Sequence, residues 1–290
     1  MFKIALLGVE NSHADAFAEF INGGLYPDIQ IAGAYSDEKD ALDIFAAKYG
    51  VKAMTDYAEL VGQVDGIMIT ARHGKNHLLY AEPYMKTGVP MFIDKPITVS
   101  VSDAEKLVAM AKKYGVRLCG GSTCGFVEEV REMGEIMKNG TIGKCIGGSV
   151  IAPLCYSEQY GGFFFYSQHL VQILINVFGT GVEEVYAVKD EYHTYTVMFK
   201  YKNFIVSGNF AGLDYSKMYY FSVTAYGSER VEFRNFDIEK SDFHHELSDM
   251  LDLLNGKPQK QTFDEFIYPV YVLNAIEKSA QIKEWVKVKE

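Results

Sequence analysis

Lys3-Ile4-Ala5-Leu6-Leu7-Gly8-Val9-Glu10-Asn11-Ser12-His13 is the stretch on which the fold of this chain turns. A short apolar run meets a glycine, and helical periodicity follows from Ser12 to about Ile21. A buried strand turning sharply into a helix opens a βαβ unit, and the N-terminus of that helix is a seat for an anion. A dinucleotide turn needs glycine where the chain tightens and again where backbone approaches a pyrophosphate. Only the first, Gly8, is present. Asn11 tolerates the left-handed conformation that a missing glycine would supply, and Ser12 is a candidate N-cap. Gly8, Glu10, Asn11, Ser12 and His13 are therefore the candidate phosphate-side residues. The plain alternative is an ordinary strand-to-helix turn.

Outward from this turn the alternation continues. Strands are expected over 29–35, 66–70, 90–93 and 116–119, and helices over 41–49, 57–61, 77–87 and 102–114. Such alternation predicts an α/β domain, a doubly wound parallel sheet of Rossmann type. After about residue 122 the pattern changes. Helices are expected over 128–139, 166–178, 243–254 and 266–282, and strands over 144–152, 182–188, 192–200, 204–210, 219–226, 230–233 and 285–288, with Lys202-Asn203 as a hairpin turn. That reads as an α+β domain with an open, largely antiparallel sheet covered by helices on one face. The expected division is 1–122 for dinucleotide binding and 123–290 for substrate and oligomerisation. The terminal segment 266–290 is a candidate to pack back on the first domain.

Composition narrows the partners. Among 290 residues, 28 Lys and Arg stand against 38 Asp and Glu, a formal charge of −10, with no basic block. Nucleic acid and anionic membrane are disfavoured. No apolar run reaches about 18 residues, and no signal-peptide pattern precedes the first strand, so a cytoplasmic protein is expected. Cys119, Cys124, Cys145 and Cys155 lack zinc-type spacing and read as free thiols. The 20 Tyr and 19 Phe, many in alternating runs of the second half, read as sheet packing.

Several side chains carry chemistry. Ser36 and Asp37 end the second strand, where a carboxylate accepts bonds from a ribose diol and favours NAD. Serine with Lys39 nearby also admits a 2′-phosphate, so the expected cofactor is NAD or NADP, with NAD preferred. Thr70 and Ala71 end the next strand, where a doubly wound sheet binds its ligand, and His77 follows them. In Phe92-Ile93-Asp94-Lys95-Pro96, proline bars a helix from running through Lys95. A lysine there can bond a substrate hydroxyl and stabilise an alkoxide as hydride leaves. His169 starts an apolar helix as a candidate proton acceptor, with Tyr166 one turn earlier on much the same face. His244 and His245 beside Asp242 and Glu246 look metal-like. Adjacent helical side chains diverge by about 100°, and no metal is expected.

Four local stretches together resemble the Gfo/Idh/MocA family of oxidoreductases. They are Val64–Thr70 with His77, Asp94-Lys95-Pro96, Asn139-Gly140-Thr141-Ile142-Gly143-Lys144, and Gly161-Gly162 followed by His169. The resemblance implies an N-terminal Rossmann domain that binds NAD or NADP, with Asp94 and Lys95 at the cofactor side. It also implies a C-terminal α+β domain that shapes the site of a sugar or cyclitol and makes homo-oligomers through its sheet. Lys95, His169 and Tyr166 are then the catalytic candidates. Three positions depart from the pattern: the glycine-rich turn, Phe165 where an aspartate is usual, and Ser122-Thr123-Cys124 where an arginine is common. Two other readings follow from these departures. One is a glycosidase-like enzyme that retains NAD with no net redox change. The other is a non-catalytic, dehydrogenase-like binding protein.

Overall fold

Strands β1 (Phe2–Leu7), β2 (Ile29–Tyr35), β3 (Gly66–Ile69), β4 (Met91–Asp94) and β5 (Leu118–Gly121) form one parallel sheet in the order β2-β1-β3-β4-β5. They come from a computed structural model, which describes residues 1–212, 221–239 and 242–289. Every residue of β3 and β4 is buried. That is the state of a parallel strand covered on both faces, and it is why both are apolar up to Asp94, the last residue of β4. Helices α1 (Ser12–Asn22), α2 (Lys39–Tyr49), α3 (Lys75–Met85) and α4 (Val101–Tyr114) connect the strands. All-parallel pairing requires the chain to cross back between strands, and these helices make the crossings. Leu7 pairs with both Tyr35 and Ile69, so β1 is the strand at which the order reverses. Ligands of such sheets lie beyond the carboxyl ends of the strands at this reversal.

The short helix expected over 57–61 is a run of turns. Asp56 Oδ1 accepts the N–H of Ala58 at 2.7 Å and Glu59 Oε2 that of Thr55 at 2.8 Å. These local bonds offer the backbone an alternative to helix.

The chain divides into two compact units, and the division is not the contiguous one expected. The first is Met1–Gly121 with Glu239–Ile267; the second is Ser122–Ile238 with Tyr268–Glu290. The segment that returns to the first unit is thus 239–267 rather than 266–290. Its helix α7 (Phe243–Leu254) places Leu247, Met250 and Leu253 in the same apolar cluster as Ile4, Phe17 and Phe92. Burial of that face decides where the segment goes.

The second unit holds β6 (Cys145–Pro153), β7 (Glu184–Lys189), β8 (Tyr195–Lys200), β9 (Ile205–Ala211), β10 (Phe221–Gly227), β11 (Val231–Phe236) and β12 (Val286–Lys287). Their order is β11-β10-β6-β9-β8-β7-β12, and the β6–β9 pair alone is parallel among the described residues. In β8, Tyr195, Val197 and Phe199 are buried while Thr196, Met198 and Lys200 are exposed, so one face is covered and the other open. Helix α6 (Phe164–Phe178) supplies Leu170, Val171, Ile173 and Leu174 to the covered side. Helices α5 (Glu128–Lys138) and α8 (Phe263–Ile282) complete the α-helices among the described residues. Residues 219 and 220 of the strand expected over 219–226 lie outside the described residues. The strand expected from 192 begins at Tyr195, because Asp190 Oδ1 accepts the N–H of Tyr192 and of Thr194 and closes a turn.

Candidate functional site

The loops at the carboxyl ends of β1, β3 and β4 are tied into one buried polar network. Gly8 has φ +93°, and a Cβ on it would lie 2.1 Å from the backbone nitrogen of Ala71. Both the conformation and the close approach demand glycine. Thr70 donates its backbone N–H to Leu7 O at 2.7 Å and its hydroxyl to Gly8 O at 3.0 Å.

Asn11 caps α1 in extended conformation, its Oδ1 accepting the N–H of His13 at 3.2 Å. Its Nδ2 donates to Thr70 O at 2.8 Å and Asp94 Oδ2 at 3.0 Å. The left-handed Asn11 and the Ser12 cap expected from sequence are therefore both corrected. A carboxamide accepts from the helix and donates to the strand ends together, and a serine hydroxyl has one hydrogen for that work. Ser12 is the exposed first residue of the helix.

Asp94 is wholly buried at the end of β4. Oδ1 accepts the N–H of Lys95 at 2.7 Å, and Oδ2 lies 2.8 Å from His13 Nδ1. Burial pushes this carboxyl up, but the His13 and Lys95 charges and the bonds donated to it outweigh burial and hold it below the ordinary value. Lys95 follows at 3% exposure.

Glu10 stands where the second glycine of a dinucleotide turn would be. Its Oε2 accepts the Ser36 hydroxyl at 2.6 Å, and its Oε1 accepts the N–H of Arg72 at 2.9 Å. Ser36 follows β2 and Arg72 follows β3, so this carboxylate spans the two flanks of β1. Asp37 accepts from Tyr35 Oη at 2.7 Å, Tyr80 Oη at 2.8 Å and Asn76 Nδ2 at 3.2 Å. Burial and the Asp37 carboxylate both push the Tyr80 phenol up. His77 is wholly buried, its Nε2 2.8 Å from Ala71 O and its Nδ1 3.3 Å from Ile97 O. Burial lowers its pKa against the raising effect of those carbonyls. Its ring struts the loops after β3 and β4.

In the second unit, His169 is 2% exposed on α6. Its Nδ1 lies 2.7 Å from Ser122 Oγ and 3.5 Å from Cys124 Sγ. The Tyr166 ring meets the His169 ring edge-on, centroids 4.2 Å apart, so these two candidates are together. Phe165, at the expected aspartate position, has its ring 5.2 Å from that of Tyr160. Sequence reasoning missed Tyr80 and Asn76 as partners of Asp37, and Ser122 as the partner of His169. His244 stacks on Phe20 at 4.0 Å and sits 3.3 Å from the Tyr26 hydroxyl. Among the described residues no group of three or more His, Cys, Asp or Glu is placed to hold a metal. None of the four cysteines is in a disulfide. No helix among the described residues is long and apolar enough to cross a membrane.

The first unit fits a dinucleotide at the tight Gly8 turn, at the N-terminus of α1 and at the acidic end of β2. Glu10 is the one side chain of this set that carries negative charge across the strand reversal.

Residues 2–122 match the family GFO_IDH_MocA, described as an oxidoreductase family with NAD-binding Rossmann fold. A myo-inositol 2-dehydrogenase of Thermotoga maritima is 30% identical over 172 residues, covering 55% of this chain and 51% of that protein. A 2,7-anhydro-N-acetylneuraminate hydratase of Mediterraneibacter gnavus is 32% identical over 86 residues, covering 29% of this chain and 21% of the hydratase. The chain thus spans about half the length of the first relative and less of the second. The structure of a scyllo-inositol dehydrogenase from Lactobacillus casei, with bound cofactor NAD(H) and scyllo-inositol, matches with TM-score 0.85 over 100% of both chains at 15% identity, a likeness of fold. Residues 2–122, which hold all five strands of the parallel sheet, thus match an oxidoreductase family with NAD-binding Rossmann fold.

Proposed function

We propose that the chain is an NAD(P)-dependent oxidoreductase that moves hydride between the nicotinamide and a carbon of a sugar, cyclitol or similar polyhydroxylated molecule. The observation that carries this reading is Lys95. It is a nearly buried cation at the carboxyl end of β4, on a loop whose backbone is fixed by the Asp94 network. The nicotinamide, when bound, supplies or accepts the hydride. Gly8, the first turn of α1, Ser36 and Asp37 hold the dinucleotide, and NAD is preferred because Asp37 and Glu10 oppose a 2′-phosphate. Lys95, His169 and Tyr166 are the side chains assigned to proton and charge work.

The test is a titration with NAD and NADP followed by a polyol panel read by reduced-nicotinamide absorbance. Lys95→Ala should lower turnover by about 10²-fold or more while NAD still binds; unchanged turnover would defeat this role for Lys95. In the same titration, Glu10→Ala should tighten NAD binding about tenfold, ~1.4 kcal/mol, because a carboxylate facing the phosphates is removed. Weaker binding would instead make Glu10 a ligand of the cofactor.

A second reading is favoured by Phe165 and by the relative that bears a hydratase's name. In it the NAD is retained and recycled without net redox change. A purified protein that carries NAD and gives no net absorbance change with any polyol would select it.

The open face of the second sheet is our inferred homo-oligomer surface. Val188, Met198, Ile205, Tyr226, Val231 and Phe233 are all exposed on it, and apolar side chains gathered on one open face mark an interaction surface. Sedimentation of Phe233→Glu beside the parent chain tests this, and identical masses would refute it.

A further inference from the structure

Ser122 sits directly after β5 and is 2% exposed, as is His169. Its hydroxyl oxygen accepts the backbone N–H of Cys124 at 3.2 Å. It also lies 2.7 Å from His169 Nδ1. These are the hydroxyl's two partners among the described residues. An amide nitrogen only donates, so the single hydroxyl hydrogen has one acceptor within reach, the Nδ1 lone pair. Were Nδ1 protonated, Ser122 would receive two hydrogens and its own would be left buried without an acceptor, at a cost to the fold. The Cys124 thiol, at 3.5 Å, is a weak donor toward the same nitrogen and favours the same state.

We propose that Ser122 is a positioning residue that holds His169 in the tautomer with its proton on Nε2, so that in the resting protein Nε2 is a hydrogen-bond donor and not a lone pair. The reading of His169 as a group at the substrate comes from the proposed function, and the tautomer does not depend on it. The consequence for that function is a change of role. A ring with Nε2–H polarises a carbonyl oxygen or holds an alkoxide; it takes no proton at Nε2. The expectation of His169 as proton acceptor belongs to the other tautomer. The hydroxyl of Ser122 sets the Nδ1 side of the ring.

The experiment is long-range ¹H–¹⁵N correlation on the ¹⁵N-histidine-labelled full chain, with the His169 ring assigned from His169→Asn. The expected result is a protonated Nε2 and an unprotonated, hydrogen-bonded Nδ1. Ser122→Thr should keep that pattern, and Ser122→Ala should move the Nδ1 resonance toward that of a free lone pair or mix the tautomers. A wild-type ring protonated on Nδ1, or on both nitrogens, overturns the proposal; so does a pattern indifferent to Ser122→Ala. The wild-type spectrum needs no variant to fold and no turnover. An inactive protein with the Nε2–H ring would remove the oxidoreductase reading and leave the tautomer standing.

Discussion

Gly8→Ala should unfold the first unit far more readily than any ordinary glycine substitution in the same unit. Gly62 is the control. It has φ +75° with nothing within 4 Å of where a methyl would lie, so alanine there meets only the left-handed backbone, about 1–2 kcal/mol. Gly8 has φ +93°, and its methyl would lie 2.1 Å from Ala71 N and 2.3 Å from Ala71 Cα. Backbone cannot rotate aside as a side chain does, so the β1 and β3 loops must separate and the Thr70 bonds to Leu7 and Gly8 go with them. The expected loss is about 4 kcal/mol or more, in the range reserved for strain at a special backbone position. Urea unfolding followed by circular dichroism checks it. Equal midpoints for Gly8→Ala and Gly62→Ala would show that the loops open at little cost.

Asp94→Asn should lower stability at neutral pH by about 3 kcal/mol, because it keeps the shape of a buried group but removes the charge that His13 and Lys95 face. The new amide also points two hydrogens toward Asn11 Nδ2 and His13, where the carboxylate accepted. The pH dependence has a definite sign. The folded Asp94 carboxyl is held below its ordinary value, with burial opposing and His13 and Lys95 prevailing. Its contribution is therefore fully present above the unfolded carboxyl pKa of about 3.9 and is lost as pH falls through the folded value. Acid titration of unfolding should show this loss in the parent and a flatter profile in Asp94→Asn. A variant that tracks the parent at every pH would mean that Asp94 is not charged in the native state.

The parallel sheet was legible because its strands are short apolar runs between turn residues, and a strand buried on both faces has no other way to be written. The helices were legible to within a few residues. Other features lay outside what periodicity can report. Asp56 and Glu59 turn the chain locally where the apolar spacing suggested a helix. The apolar stripe of 243–254 announces a buried face and is silent about which sheet it meets. Asn11 and Ser12 are both good caps, and only the neighbouring Thr70 carbonyl and Asp94 carboxylate decide between them. Lys95 and His169 stood out through neighbouring sequence. Ser122 is one serine in a loop, and its meaning is the histidine 47 positions later at 2.7 Å.

The return of Glu239–Ile267 to the first unit has a consequence for biosynthesis. Chains emerge from the ribosome N-terminus first, and domains generally fold as units in that order. Here the apolar side of the first sheet lacks Leu247, Met250 and Leu253 until the ribosome has passed them. The whole described body of the second sheet except β12 is synthesised in between. The nascent first unit must wait with that face uncovered, and the unit begun first is sealed almost last. A chain released before α7 would carry every residue of the Gly8 turn and still lack the wall behind it.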